Sequence, residues 1–132
     1  METHFVVTGV VKYKGKVLIL KKAPDDRNYP NRWSFCSGFV KEFEAAENSV
    51  LREIKEETSL NAKIIKTAEP IIAIDKEKGK RWIVVPFLCE ANSNKVILDH
   101  ENVEFKWIEP KEAANHKGVP AFLKDLKLFN LK

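Results

Sequence analysis

Three glutamates near the middle of the chain, Glu53, Glu56 and Glu57, come together in space if their segment is helical. Residues 45–58 contain neither Gly nor Pro, and Ala46, Val50, Leu51 and Ile54 recur at helical spacing, so the segment reads as an amphipathic helix. At about 100° per residue the three carboxylates fall in one sector roughly 100° wide, with Glu57 pointing nearly the same way as the core-facing Ala46 and Val50. An unpaired carboxylate beside a core is costly, and neighbouring carboxylates repel one another. A helix that needed only solubility would carry its acids on the opposite side, which Asn48 and Lys55 already occupy. A hard divalent cation resolves the conflict. Mg²⁺ takes oxygen ligands and shares them with waters and substrate phosphates, and it lowers the pKa of a bound water. For these residues taken alone, a glutamate-rich helix stabilised by Arg52 and Lys55 is the plainer alternative.

Such a helix needs a scaffold. Residues 5–11 are apolar and β-branched and read as a buried strand. Lys14-Gly15 is a turn, and residues 17–20 return as a second strand. Residues 23–32 are rich in Pro, Asp, Asn and Arg and form a loop. Trp33-Ser34-Phe35 resumes an extended stretch. Beyond the helix, residues 62–74 and 81–89 read as two longer strands joined by the polar turn 75–80, and Pro86 should make the second bulge or lie partly at an edge. Residues 103–108 alternate like a half-buried strand. Pro120 suits the first position of a C-terminal helix whose stripe is Phe122, Leu123, Leu126 and Phe129. Strands, helix, strands and a final helix suggest a mixed sheet covered on both faces.

The stretch from Gly38 to Leu60 carries more than the three acids. It resembles the Nudix box, which runs Gly, five residues, Glu, seven residues, Arg-Glu, an apolar residue, any residue, Glu-Glu, any residue, Gly and an apolar residue. Gly38, Glu44, Arg52, Glu53, Ile54, Glu56, Glu57 and Leu60 match it. For the six identities among them, chance agreement at a given start is on the order of 10⁻⁷ from average residue usage. The likeness extends outward to Leu20-Lys21-Lys22 at the end of an apolar strand pair, to the aromatic stretch Trp33–Gly38, and to the acidic segment at residues 100–108 that ends in Trp107-Ile108. There are departures. Ser59 stands where the family usually has Gly, at a left-handed helix end that costs Ser roughly 1–2 kcal/mol. Cys36-Ser37-Gly38 replaces a Pro-Gly-Gly approach, and Phe43 stands where a small residue often precedes the glutamate.

The resemblance implies a single domain over residues 1–132, built as a Nudix-like α/β/α sandwich with a mixed β-sheet between helices, the box occupying residues 38–60. It implies Glu53, Glu56 and Glu57 as catalytic metal ligands, the Gly38 carbonyl as a further ligand, and Glu53 as first candidate for general base. Glu101 falls where some relatives carry an extra metal-binding glutamate, with a surface carboxylate as the alternative. Glu44 and Arg52 would pair to hold the loop and helix in place. Lys22 is a candidate phosphate contact or a solvated lysine. Trp33 is a candidate base-stacking residue, or core.

Composition narrows the rest. With 132 residues, 44% hydrophobic and 32% charged, the chain suits one globular domain. No apolar run approaches the roughly 20 residues of a membrane span, and nothing resembles a secretory leader, so the expected location is cytoplasmic. Cys36 and Cys89 have no metal-binding spacing, and the three His residues are scattered. The +4 net charge comes from dispersed lysines, which excludes a dedicated nucleic-acid binder, with an RNA 5′ end as the one exception kept. The reading is an Mg²⁺-dependent pyrophosphohydrolase, with Mn²⁺ as a substitute metal, acting on a small-molecule nucleoside diphosphate linked to X. A nucleoside triphosphate, giving nucleoside monophosphate and pyrophosphate, is the leading substrate. Nucleotide sugars, dinucleoside polyphosphates, RNA caps and a non-catalytic nucleotide-binding module are the alternatives.

Overall fold

The computed structural model describes residues 1–131, and among them eight strands form one mixed sheet. They are β1 (Glu2–Tyr13), β2 (Lys16–Lys22), β3 (Trp33–Ser34), β4 (Cys36–Phe39), β5 (Ala62–Thr67), β6 (Ile71–Asp75), β7 (Lys80–Ala91) and β8 (Asn102–Ile108). Helix α1 (Ala46–Thr58) packs on one face. On the other lie α2 (Phe122–Leu128) and a 3-10 turn, Pro110–Asn115. Strand alternation divides the apolar residues between two cores. Val7, Val11, Leu18 and Leu20 face Val50 and Ile54 of α1, whereas Val10, Val17 and Ile19 face Phe122 and Leu126 of α2. The expected sandwich is the one observed.

β1 runs parallel to β7, from Glu2 opposite Lys80 to Lys12 opposite Glu90. The hairpin of β1 with β2 holds only at its closed end, Lys12 with Val17 and Tyr13 with Lys16. Beyond that the two strands part, and the chain from Trp33 to Phe39 enters the fork. β3 pairs with β2 at Leu20 and Lys21, while β4 pairs with β1 from Val6 to Gly9. The start of the box is therefore wedged into the open end of the fork. α1 settles above it through a close approach at Gly9, where a Cβ would lie 2.9 Å from Val50 Cγ2.

Two strand expectations change. Residues 62–74 form not one strand but two, β5 and β6, which pair with successive halves of β7. Pro86 lies opposite the break between them. β7 is interior, with β1 on its other side, so Pro86 is not at an edge. Its carbonyl accepts from Ala68 N–H at 3.1 Å, and the N–H it lacks would point to that same interrupted side. The register shift sits in β5, between Ile64 and Lys66. At the C-terminus, Pro120 lies in a turn rather than beginning the helix. Ala121 follows at φ 71°, and α2 starts at Phe122. Phe122, Leu126 and Phe129 are buried while Leu123 is exposed, because the reversal at Ala121 rotates the short helix. Among the described residues no helix is long and apolar enough to cross a membrane.

Candidate active site

α1 delivers its acids to the fork. Glu57, in its last turn, is only 4% exposed. The Ser37 backbone N–H, in the wedged β4, donates to its Oε1 at 2.9 Å, and Asn102 Nδ2 donates to its Oε2 at 3.3 Å. Burial pushes its pKa up to about 8, against the pull of the Ser37 hydrogen bond and the Lys22 charge. The final carbonyls of a helix have no intrahelical partner. Here Thr58 and Glu57 carbonyls accept from Ile97 and Asp99 N–H at 2.9 and 3.3 Å, which brings Asp99 beside Glu57. Asn102 also donates to Asp99 Oδ1 at 3.1 Å. Carboxylate oxygens of Glu57, Asp99 and Glu101 all lie within 4.8 Å of one another.

One turn earlier, Glu53 lies against Gly38, where any Cβ would collide with its carboxylate. That contact explains the glycine by packing, independent of its dihedral angles. Burial raises the Glu53 pKa above the usual carboxylate range, opposed by its bond to Arg52. Arg52 is the hub of the segment. It donates to both Glu44 oxygens at 2.7 and 2.9 Å, to Glu53 Oε1 at 2.6 Å, to Glu56 Oε2 at 3.2 Å and to the Phe39 carbonyl at 3.2 Å. Glu44 also accepts from Ser49 Oγ at 2.5 Å and from Lys41 N–H at 3.2 Å, and these partners, Arg52 above all, hold its pKa down to about 2. The loop before α1 is thus tied to the helix that follows it. Glu56 is exposed and engaged with Arg52, so the three helical glutamates do not converge on one point.

A cleft of about 510 Å³ opens at the fork. Lys22, Gly38, Glu53 and Glu101 line one end, and its floor continues over Val6, Thr8, Val84 and Trp82 on the α2-side face of the sheet. Trp33 is absent from it. That side chain is 7% exposed in the α2-side core, edge-on to His116 at 5.3 Å and beneath Lys106. Trp33 pairs with Lys21 and shares the face of Ile19, where it packs into the α2-side core, and the register of β2 against β8 shifts between Lys21 and Lys22.

Sequence reasoning missed Asp99, Asn102 and the aromatic lining of the cleft. Asp99 lies two residues before Glu101 in an acidic stretch, a signal that was there to use. The place of Asn102 depends on a contact 45 residues away in the chain and left no trace in spacing. Cys36 and Cys89 are free and buried, their thiols held protonated by burial.

The site fits a divalent cation. Among the described residues Glu57, Asp99 and Glu101 have no Lys or Arg within ion-pair distance, while Arg52 is taken up by Glu44, Glu53 and Glu56. Three clustered carboxylates with no counter-ion make an all-oxygen donor set suited to a hard metal.

Comparison with known proteins supports the same reading. The NUDIX domain model matches residues 3–127. The chain is 25% identical to nucleoside triphosphatase NudI of Escherichia fergusonii, with 99% of each chain covered. It is 24% identical to the CTP pyrophosphohydrolase of Escherichia coli K12, over 94% of this chain and 89% of that one. The crystal structure of a MutT protein from Methanosarcina mazei Go1 superposes with a TM-score of 0.84 at 21% identity, over 98% of this chain and 94% of that one. With the box folded around its loop and helix and the family model spanning nearly the whole sequence, the chain belongs to the Nudix family and is a hydrolase of phosphoanhydride bonds.

Proposed function

We propose that the chain hydrolyses a nucleoside triphosphate to nucleoside monophosphate and pyrophosphate, with Mg²⁺ as its metal and Mn²⁺ as a substitute. The observation that carries this is the cleft, which joins a cluster of carboxylates and Lys22 to an apolar sheet face. A nucleotide has the same two-part character, and the volume is ordinary for a small-molecule site. The names of the relatives, a nucleoside triphosphatase and a CTP pyrophosphohydrolase, point the same way.

In this reading Glu53, Glu57, Glu101 and the Gly38 carbonyl would hold divalent metal, with Asp99 added to the set. Glu56, the remaining expected ligand, stands on Arg52 in this arrangement. When bound, the metal neutralises the polyphosphate and makes nearby water more acidic. Glu53 takes the proton as the water oxygen bonds to phosphorus and the anhydride P–O bond breaks, the pyrophosphate leaving with that electron pair. Arg52 fixes Glu53 through Oε1, and the raised pKa makes Glu53 the stronger base. Lys22 holds a phosphate oxygen. Asn102 and the Ser37 N–H keep the Glu57 carboxylate oriented.

The test is product analysis with nucleoside triphosphates, nucleotide sugars and dinucleoside polyphosphates, each with Mg²⁺ and with Mn²⁺. Nucleoside monophosphate and pyrophosphate from a triphosphate support the reading. Nucleoside diphosphate and orthophosphate as sole products overturn the cleavage position, and no turnover on any substrate favours a nucleotide-binding module.

A further inference from the structure

The cleft also carries aromatic rings in its lining. Tyr29 and Trp82 both line it, with centroids 5.9 Å apart and planes inclined by 52°. That spacing and tilt are too tight to sandwich a third ring, so the two side chains form a corner. Trp82 stands on β7 opposite Ala73 of β6 and above Val84, which gives the corner an apolar floor. His4 backs Trp82 at 6.2 Å on its other side and continues to Phe39 at 5.4 Å.

Tyr29 belongs to a loop, yet it is held from several directions. Asp26 Oδ2 accepts from the Asn28 and Tyr29 N–H groups at 3.1 and 2.9 Å. The Tyr29 hydroxyl donates to Asp75 Oδ2 at 3.1 Å, and Lys78 Nζ sits 4.4 Å from its ring centre. Lys80 Nζ donates to Asn28 Oδ1 at 2.9 Å, and Lys78 Nζ donates to the Asn28 carbonyl. The loop is strapped to the β6–β7 hairpin, which makes one wall of the cleft rigid before anything binds.

Resting on the nucleotide reading above, we propose that Trp82 and Tyr29 form the subsite for the substrate's heteroaromatic base, Trp82 stacking on its face and Tyr29 closing its edge. The corner matches a flat π-system, with Ala73, Val84 and Trp82 offering its face an apolar surface and the polar groups of Asp25, Asp26 and Asn28 lying on the Tyr29 loop at its border. Phosphates then extend toward Lys22 and the carboxylates.

The experiment has two arms on the full chain. In EDTA, calorimetric titration with AMP and CMP compares the parent with Trp82→Ala, Trp82→Phe and Tyr29→Leu. Base stacking predicts roughly 5- to 150-fold weaker binding for Trp82→Ala, a smaller loss for Tyr29→Leu and substantial recovery in Trp82→Phe. With metal, the same variants should raise KM for a nucleoside triphosphate while kcat stays within a few-fold, and base-free inorganic tripolyphosphate should compete equally well in all of them. Unchanged monophosphate binding in Trp82→Ala, or an equal loss for tripolyphosphate, overturns the subsite. A parent that hydrolyses no triphosphate defeats the proposed reaction but leaves the metal-free titration to decide the base subsite. Where Trp82→Ala does not fold, Tyr29→Leu and Trp82→Phe carry the same comparison.

Discussion

Each helix buries one carboxylate, and the two are treated differently. Glu57 on α1 has two hydrogen-bond donors, the nearby Lys22 and the carboxylates of Asp99 and Glu101 around it, and burial still raises its pKa to about 8. Asp125 on α2 is equally hidden at 4% exposure, yet its Oδ1 has no partner, and burial alone raises its pKa to about 7. A buried acid with oriented donors around it is the candidate for chemistry, whereas an unpartnered one costs the fold stability.

The largest expected effect follows from that contrast. Glu57→Gln should lower turnover by at least roughly 10²-fold. It should also raise the melting temperature of the metal-free protein at neutral pH, since the folded state must hold on Glu57, at a pKa of about 8, a proton that the unfolded chain releases. Unchanged turnover would place Glu57 with Asp125. Next comes Asp125→Asn. Its carboxyl, ordinarily near 3.8, is held up to about 7 in the folded protein. The folded state therefore keeps a proton that the unfolded chain releases, so stability falls as pH rises from about 4 to about 7 and the cost is complete above that. The variant should flatten this slope and gain on the order of 2 kcal/mol at pH 8, with turnover unaffected. Denaturation midpoints across pH check it, and a slope identical to the parent's refutes the assignment.

Smaller effects sharpen the picture. Lys22→Ala should raise KM for a triphosphate about tenfold, more than it lowers kcat, if the lysine holds phosphate equally in ground and transition states. Kinetics equal to the parent's would return it to the surface. Least of all, Ser59→Gly should add about 1 kcal/mol of stability, because Ser59 ends α1 at φ 63°. A lower melting temperature in this variant would refute strain at that position.

Where sequence reading succeeded, the constraint was local. The 3.6-residue period placed Val50, Ile54 and Glu57 toward the sheet, and the preference of the helix end foretold the left-handed Ser59. Gly38 was identified by spacing alone, and its reason, the Glu53 carboxylate against it, needed the folded loop. Trp33 took the second of the two roles open to it, core rather than stacking residue, and the choice depended on its pairing with Lys21, a register that spacing does not give. Asn102 was invisible for a different reason: it reaches the site through a side-chain contact 45 residues away in the chain. Asp99 is placed by the backbone bond that completes the end of α1, and it could have been suspected from its acidic stretch. The break at residues 68–70 was legible, since Glu69-Pro70 interrupts the apolar run, and only the part of β7 that each half finds was not.

The parallel pairing of β1 with β7 also governs how the molecule is born. Glu2 must find Lys80 and Lys12 must find Glu90, so the first strand made waits for a partner roughly eighty residues later. At the usual pace of synthesis that is several seconds or more. Through that interval β1 has two registered contacts with β2 and four with β4, and α1 can already cover Val7 and Val11, while Val10 still lacks its cover from α2. Pairings so distant in sequence slow folding. The nascent chain therefore keeps one edge of β1 unpaired until β7 emerges, well after α1 has been made.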